Sequence, residues 1–310
     1  MKQIIFNKRN AFIVLTTGFV LLIISSFFSQ SPNSGILNKL LSFWSMHRVW
    51  LGVVFCSMGG IILWKAKLTQ NLRLGFLAII FFVFAILPAL PLGDITRGLG
   101  IHPSPMCIVT KPFLFLYAGK TIPLIFFSLL LSIIILTIVG NKLFCGWVCP
   151  IGAIQEIFNR IPLPKKFKIK PPFKVTNLIR TSLFILYIGL IFLLGIGVYD
   201  YINPFEFLHW HFELFGLIII ALILIASVFI FRPFCYSICP LGLITWLFEQ
   251  VSLVKIKIDS DSCTNCEICI DDSPCPSMNS ILSGDKINPD CHACGYCIKS
   301  CPENSIEFKL

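Results

Sequence analysis

Cys263-Thr-Asn-Cys266-Glu-Ile-Cys269, then Cys275-Pro276, then Cys291-His-Ala-Cys294-Gly-Tyr-Cys297-Ile-Lys-Ser-Cys301-Pro302: eight cysteines fall in two runs near the end of the sequence. Three cysteines two residues apart wrap one face of a cubane, and a fourth followed by proline ligates the neighbouring cubane, the bacterial CxxCxxCxxxCP spacing. Cys291 to Pro302 fits that spacing without deviation. In the first run five residues, Ile270 to Pro274, separate Cys269 from Cys275 where three are usual. An insertion there lengthens a loop and need not remove the ligand. With the ligands crossed, one 4Fe-4S cluster takes Cys263, Cys266, Cys269 and Cys301, and a second takes Cys275, Cys291, Cys294 and Cys297. The halves repeat beyond the cysteines, since Cys275-Pro-Ser-Met-Asn-Ser-Ile281 mirrors Cys301-Pro-Glu-Asn-Ser-Ile306. Zinc and disulfides are the competing readings. Structural zinc wants four ligands, commonly two CxxC pairs, and the third cysteine of each triplet is then surplus. Pairwise disulfides leave an odd cysteine in each triplet.

The rest of the chain has a different character. Of 310 residues, 56% are hydrophobic, 13% are charged and 30 are phenylalanine, a composition that soluble domains rarely show. The apolar residues gather in runs long enough to cross a bilayer. The net charge of +10 sits beside these runs, so it speaks for membrane orientation and not for a nucleic-acid partner. Six spans are expected: Ala11 to Phe28, about Val49 to Trp64, Leu74 to Leu92, Ile122 to Val139, Leu178 to Val198 and Leu214 to Phe231. The first follows Lys2, Lys8 and Arg9 and reads as an uncut signal anchor. Gly93 to Thr121 reads as a polar loop. Lys165, Lys166, Lys168, Lys170 and Lys174 read as a linker lying on an anionic membrane face, worth about 1 kcal/mol each. Lysine and arginine crowd the amino terminus, the 65 to 73 and 141 to 177 loops and the segment after Arg232, which places both termini in the cytoplasm. A reducing cytosol keeps thiols available for iron. The expected architecture is an all-α polytopic bundle of six transmembrane helices (residues 1–254), embedded in the lipid of a bacterial inner (plasma) membrane. A small α+β bacterial-type two-cluster ferredoxin domain follows (residues 255–310).

Two further segments resemble each other: Phe144-Cys145-Gly-Trp-Val-Cys149-Pro150-Ile-Gly152 and Phe234-Cys235-Tyr-Ser-Ile-Cys239-Pro240-Leu-Gly242. Cysteines four apart on a helix share a face. With both segments at equivalent span ends, Cys145, Cys149, Cys235 and Cys239 form one extra redox or metal site; the competing reading makes them buried small hydrophobes. These motifs, followed by the two-cluster segment, resemble the NapH/NosR-type membrane polyferredoxins over roughly Leu124 to Cys301. The resemblance implies membrane electron transfer as a subunit of a quinol dehydrogenase. Quinol is then the donor, and partner redox subunits lead to a periplasmic nitrate- or nitrous-oxide-type reductase. NosR-type proteins also carry a periplasmic flavin-binding domain, and no stretch here is long enough for one, so a partner chain is expected to supply it. An alternative function is copper reduction or handling in metalloenzyme assembly, with the CxxxCP pair holding the metal, as in related cytochrome-oxidase assembly proteins.

His47, His102, His209 and His211 fall near the expected periplasmic face, and no histidine sits within a span, so a haem with two axial histidines is not expected. Glu206, His209, His211 and Glu213 lie together before the sixth span, as proton acceptors at a candidate quinol site or as part of a polar and aromatic belt. Cys56 and Cys107 read as structural.

Overall fold

The computed structural model describes residue 43 and residues 46–310, apart from 67, 91, 94, 95, 97, 101, 102, 210–213, 286 and 288. The first expected span therefore lies outside the described residues. In chain order the helices of the apolar part are α1 (His47–Trp64), α2 (Gln70–Phe81), α3 (Cys107–Tyr117), α4 (Leu124–Gly140), α5 (Leu143–Trp147) and α6 (Pro150–Asn159). They continue with α7 (Phe173–Leu194), α8 (Val198–Ile202), α9 (Leu214–Phe229), α10 (Pro233–Ser237) and α11 (Pro240–Glu249). The carboxy-terminal unit has β1 (Lys255–Ile258), α12 (Ile268–Asp272), α13 (Met278–Leu282), α14 (Tyr296–Ser300) and β2 (Ile306–Lys309). Its two strands pair antiparallel, with Lys255 opposite Lys309 and Ile258 opposite Ile306.

Among the described residues three helical stretches are long and apolar enough to cross a membrane: α1, the run Gln70–Ala89 that continues α2, and α7. The expected fourth and sixth spans fall on α4 and α9, apolar helices of only 17 and 16 residues that are not among the three. Each is followed at once by a short helix that turns back along the bundle.

The expected loop from Gly93 to Thr121 contains a helix. In α3 the residues Cys107 to Thr110 are buried, and Ser104 Oγ accepts the Cys107 N–H at 3.2 Å. Pro112 in its interior and the flanking prolines concealed it, since burial overrides the low propensity. The lysine linker also differs from expectation. Lys168 Nζ donates to the carbonyls of Asn159, Ile161 and Val228, and Lys170 Nζ to those of Ile270 and Asp271, so both hold protein. The insertion between Cys269 and Cys275 is what this linker grips, for Lys165 also pairs with Asp272 at 3.0 Å.

The hairpins that follow α4 and α9 decide where the cysteines go. Leu143 lies beside Gly60 of α1, whereas Val148 lies beside Gly52, eight residues back along that helix, or about 12 Å. Helix α6 then returns: Asn159 donates to Ser227 O near the end of α9, and Arg160 to Gln70 O at the start of α2. The second hairpin does the same. Arg180, early in α7, reaches Cys235 O at 3.3 Å, while Tyr199, which lies beyond the far end of α7, reaches Ile238 O at 3.2 Å. After α11 the chain is back at the end of α4, where Leu253 N bonds Ile138 O. Both CxxxCP segments are therefore the tips of re-entrant helical hairpins. Irregular backbone at such depth is tolerated where protein buries it, and Trp147 and Val148 are 0% and 3% exposed.

Candidate metal centre

The expectation that each CxxxC pair lies along one helix face does not hold. Cys145 is inside α5, but Cys149 is the residue before α6, with φ −67° and ψ 115°. Cys235 and Cys239 repeat this, the latter at φ −62° and ψ 116°. Proline is the cause. Pro150 and Pro240 sit at the first helical position, where a missing N–H costs nothing, and they push the preceding residue out of the helical region. The freed amides find the same partner in both hairpins, because Cys149 N bonds Phe144 O at 3.0 Å and Cys239 N bonds Phe234 O at 2.9 Å. The four thiols nevertheless share one neighbourhood: Cys149 lies within electrostatic reach of Cys235, Cys145 and Cys239. Gln155 Nε2 adds a hydrogen bond of 3.4 Å to Cys235 Sγ.

Helices of five residues leave carbonyls without intrahelical partners, and here buried cations take them. Arg232 Nη1 donates to Cys145 O at 2.7 Å, Arg73 Nη2 to Gly146 O at 2.7 Å and Arg180 Nη1 to Cys235 O at 3.3 Å, while Lys142 Nζ reaches Gly242 O in the first turn of α11 at 3.0 Å. Each set is anchored by a carboxylate that two cations share, and in the second Glu249 also stands 3.7 Å from Lys142. Glu156 holds Arg73 at 2.8 Å and Arg232 at 2.5 Å, and Asp290 holds Arg180 at 2.6 Å and Lys142 as well. All these side chains are buried. The sequence reading counts Arg73 and Lys142 as loop charge; Arg73 instead lies inside α2 at 1% exposure. The two halves thus share one plan, a carboxylate between two cations at the tip of a broken helix. In the first half the hairpin supplies the carboxylate, and in the second the carboxy-terminal unit does. Burial pushes the Asp290 carboxyl up, but Lys142 and Arg180 outweigh it and hold the group well below the usual carboxylate range.

The eight carboxy-terminal cysteines gather as two crossed sets. Cys263, Cys266, Cys269 and Cys301 line one cavity together with Pro302 and Ser305. Cys291 lies within electrostatic reach of Cys275, Cys294 and Cys297. The two runs wrap alike: Asn265 and Glu267 in the first have positive φ (52° and 60°), and so do their counterparts Ala293 and Gly295 in the second (47° and 79°). Alternation of right- and left-handed residues turns backbone N–H groups inward, a concavity suited to an anion. At Cys301, burial pushes the thiol up, yet hydrogen bonds from the Ser305 hydroxyl and from the backbone of Ser305, Glu303 and Ile306 hold it below the ordinary range. Four sulfurs per set with N–H donors turned inward fit a 4Fe-4S cluster, whose potential such bonds tune. Among the described residues no three His, Cys, Asp or Glu side chains close around an ion-sized point; a cubane, being larger than an ion, holds its thiolates further apart.

The second set is pressed against the hairpins. Trp147 Nε1 donates to Ala293 O at 2.9 Å, Cys291 N donates to Glu249 Oε1 at 3.0 Å, and a Cβ added to Gly146 would stand 2.1 Å from His292 O. None of these contacts has a motif, and only the Gly in Cys-Gly-Trp hinted at close backbone approach.

Of the candidate quinol residues, Glu206 accepts a hydrogen bond from Asn203 at 3.0 Å, and Glu206 and His209 share one short 3-10 turn. His211 and Glu213 lie outside the described residues. Cys56 and Cys107 are free and buried in separate clusters.

Residues 121–170 and 212–259 match a 4Fe-4S binding domain family, so the match falls on the two hairpin repeats and stops before Cys263. The chain is 28% identical over 185 residues to the ferredoxin-type protein NapH of Haemophilus influenzae, 55% of this chain and 63% of that protein. It is 28% identical over 204 residues to the putative electron transport protein YccM of Escherichia coli, 59% of this chain and 55% of that one. It is 27% identical over 197 residues to the regulatory protein NosR of Stutzerimonas stutzeri, 57% of this chain and 26% of that one. The chain thus spans less than two thirds of the length of these relatives. They bear out the resemblance to NapH/NosR-type polyferredoxins. No solved structure matches.

Proposed function

We propose that this chain is a membrane iron-sulfur electron-transfer protein, moving electrons between the quinol pool and partner redox subunits that feed a periplasmic reductase. The observation that carries the reading is the placement of four cysteines at the tips of two re-entrant hairpins, with a second set of four pressed against the same hairpins. Cys263, Cys266, Cys269 and Cys301 hold one 4Fe-4S cluster in this reading, and Cys275, Cys291, Cys294 and Cys297 hold the other. Clusters bound there supply one-electron transfer. The hairpin cysteines answer a problem of distance: the hydrocarbon core is about 30 Å thick, and thiols carried inward by re-entrant helices divide that gap. Arg232 and Arg180 donate to the carbonyls of Cys145 and Cys235 themselves, which fixes the backbone that carries these cysteines. The unit carrying the eight cysteines faces the cytoplasm in this reading, because the exposed Lys65, Lys165, Lys166 and Lys174 remain on its side.

Anaerobically purified full-length protein should hold about eight irons in the two carboxy-terminal sets. The double variant Cys291→Ser, Cys294→Ser should lose about four of them, and stoichiometric zinc in place of iron would sink the reading. Cys145→Ser and Cys239→Ser should each abolish reduction by quinol and leave reduction by dithionite intact. Normal quinol-driven reduction in either variant returns these cysteines to a structural role.

The soft thiol chemistry of the four hairpin cysteines is the basis of a second reading, metal reduction in assembly with copper(I) as the cargo, which requires them to draw closer than they stand here. Copper binding by wild type that disappears in the Cys145/Cys149/Cys235/Cys239→Ala quadruple variant, with quinol-driven reduction absent in both, favours that second reading.

A further inference from the structure

One residue adjoins a hairpin cysteine along the backbone and touches the second carboxy-terminal set with its side chain. Tyr236 follows Cys235 directly and is 2% exposed. Its hydroxyl lies 3.9 Å from Cys275 Sγ, and its ring stands edge-on to the His292 imidazole with 4.6 Å between centroids. The equivalent position of the first hairpin is Gly146, which leaves room for the backbone of His292. The internal repeat is therefore unequal where the carboxy-terminal unit seats. One hairpin offers no side chain, and the other offers a phenol. Shape alone is met by phenylalanine, whereas a buried tyrosine wants a partner for its O–H. A cysteine sulfur that ligates metal carries no proton and can only accept, so the tyrosine must be the donor.

We infer that Tyr236 is a positioning residue that joins the four-cysteine site of the hairpins to the second carboxy-terminal set: bonded through its backbone to Cys235, it donates its phenolic proton to the sulfur of Cys275. The inference rests on the reading of the two carboxy-terminal sets as 4Fe-4S ligands. Two effects follow from the geometry. The contact fixes the distance between the two sites through a single buried residue. The donor also stabilises the extra negative charge that reduction places on the ligand sulfurs, and hydrogen bonds to those sulfurs are among the factors that set cluster potentials. The first set has its own donor, the Ser305 hydroxyl, 3.1 Å from Cys301 Sγ, so the two sets are tuned by different side chains.

The test is a redox titration followed by electron paramagnetic resonance on full-length, anaerobically purified wild type, Tyr236→Phe and Ser305→Ala. Tyr236→Phe keeps the ring and its packing, so its iron content should equal that of wild type. One of the two cluster potentials should move to a more negative value, and Ser305→Ala should move the other. A second readout is the coupling of an exchangeable proton to the reduced second cluster, which should vanish in Tyr236→Phe. Superimposable titrations of wild type and Tyr236→Phe at full iron content would overturn the inference and leave the proposed function standing. Wild type holding no iron at the second set would overturn both.

Discussion

Asp290→Ala should release the carboxy-terminal unit from the hairpins and cost the protein about 3–5 kcal/mol, the range seen when one partner of a buried ion pair is removed. The carboxylate is fully buried between Arg180, at 2.6 Å, and Lys142, both also fully buried. Alanine leaves Arg180 without a counter-charge in a place it cannot leave, and leaves Lys142 only Glu249, 3.7 Å away. Lys142 and Arg180 also hold the carbonyls of Gly242 and Cys235, so the tip of the second hairpin loosens with them. Asp290→Asn keeps an acceptor and should cost less. Limited proteolysis in detergent reads the result: the segment after Val254 should be cut far faster in Asp290→Ala than in wild type, and Asn should fall between. Equal rates in all three proteins would show that the pair does not hold the unit in place.

The second large effect is expected at a glycine. In Gly146→Ala the added carbon would stand 2.1 Å from the carbonyl oxygen of His292, a backbone atom with no rotamer to escape into. Overpacking of this kind costs about 1–3 kcal/mol. The displaced segment includes Cys291 and Cys294, so the loss should appear as lowered iron content as well as a lower Tm. Gly75→Ala is the matched control, because nothing lies within 4 Å of its added carbon and alanine favours the helix by up to about 1 kcal/mol. Equal iron and Tm in Gly146→Ala and Gly75→Ala would mean that the second run does not seat against the first hairpin as described.

Much of this arrangement was legible in the sequence, and the parts that were not share a cause. The apolar runs at α1, α2 and α7 announce themselves by length, and the two cysteine runs by spacing, because both signals are local. The re-entrant hairpins were misread through the helical spacing of Cys145 and Cys149, although Pro150 already carried the correction: the residue before proline avoids the helix. The buried ion pairs had no local signal at all. Arg73 pairs with Glu156 across 83 positions and Lys142 with Asp290 across 148, and each charge taken alone reads as a loop residue beside a span. The helix α3 was hidden by Pro112, whose cost is met by tertiary burial that no window of sequence displays.

The unequal shelter of the two thiol sets fixes the order in which the protein is damaged. Cys266 is exposed and Cys263 half-buried, whereas Cys275, Cys291, Cys294 and Cys297 are all buried under the hairpins. Oxidants and alkylating reagents act on thiols they can reach. Exposure to air should therefore strip the outer set first and leave the inner one intact for as long as Asp290 keeps its two cations, a half-dismantled protein whose remaining centre is the one against the membrane.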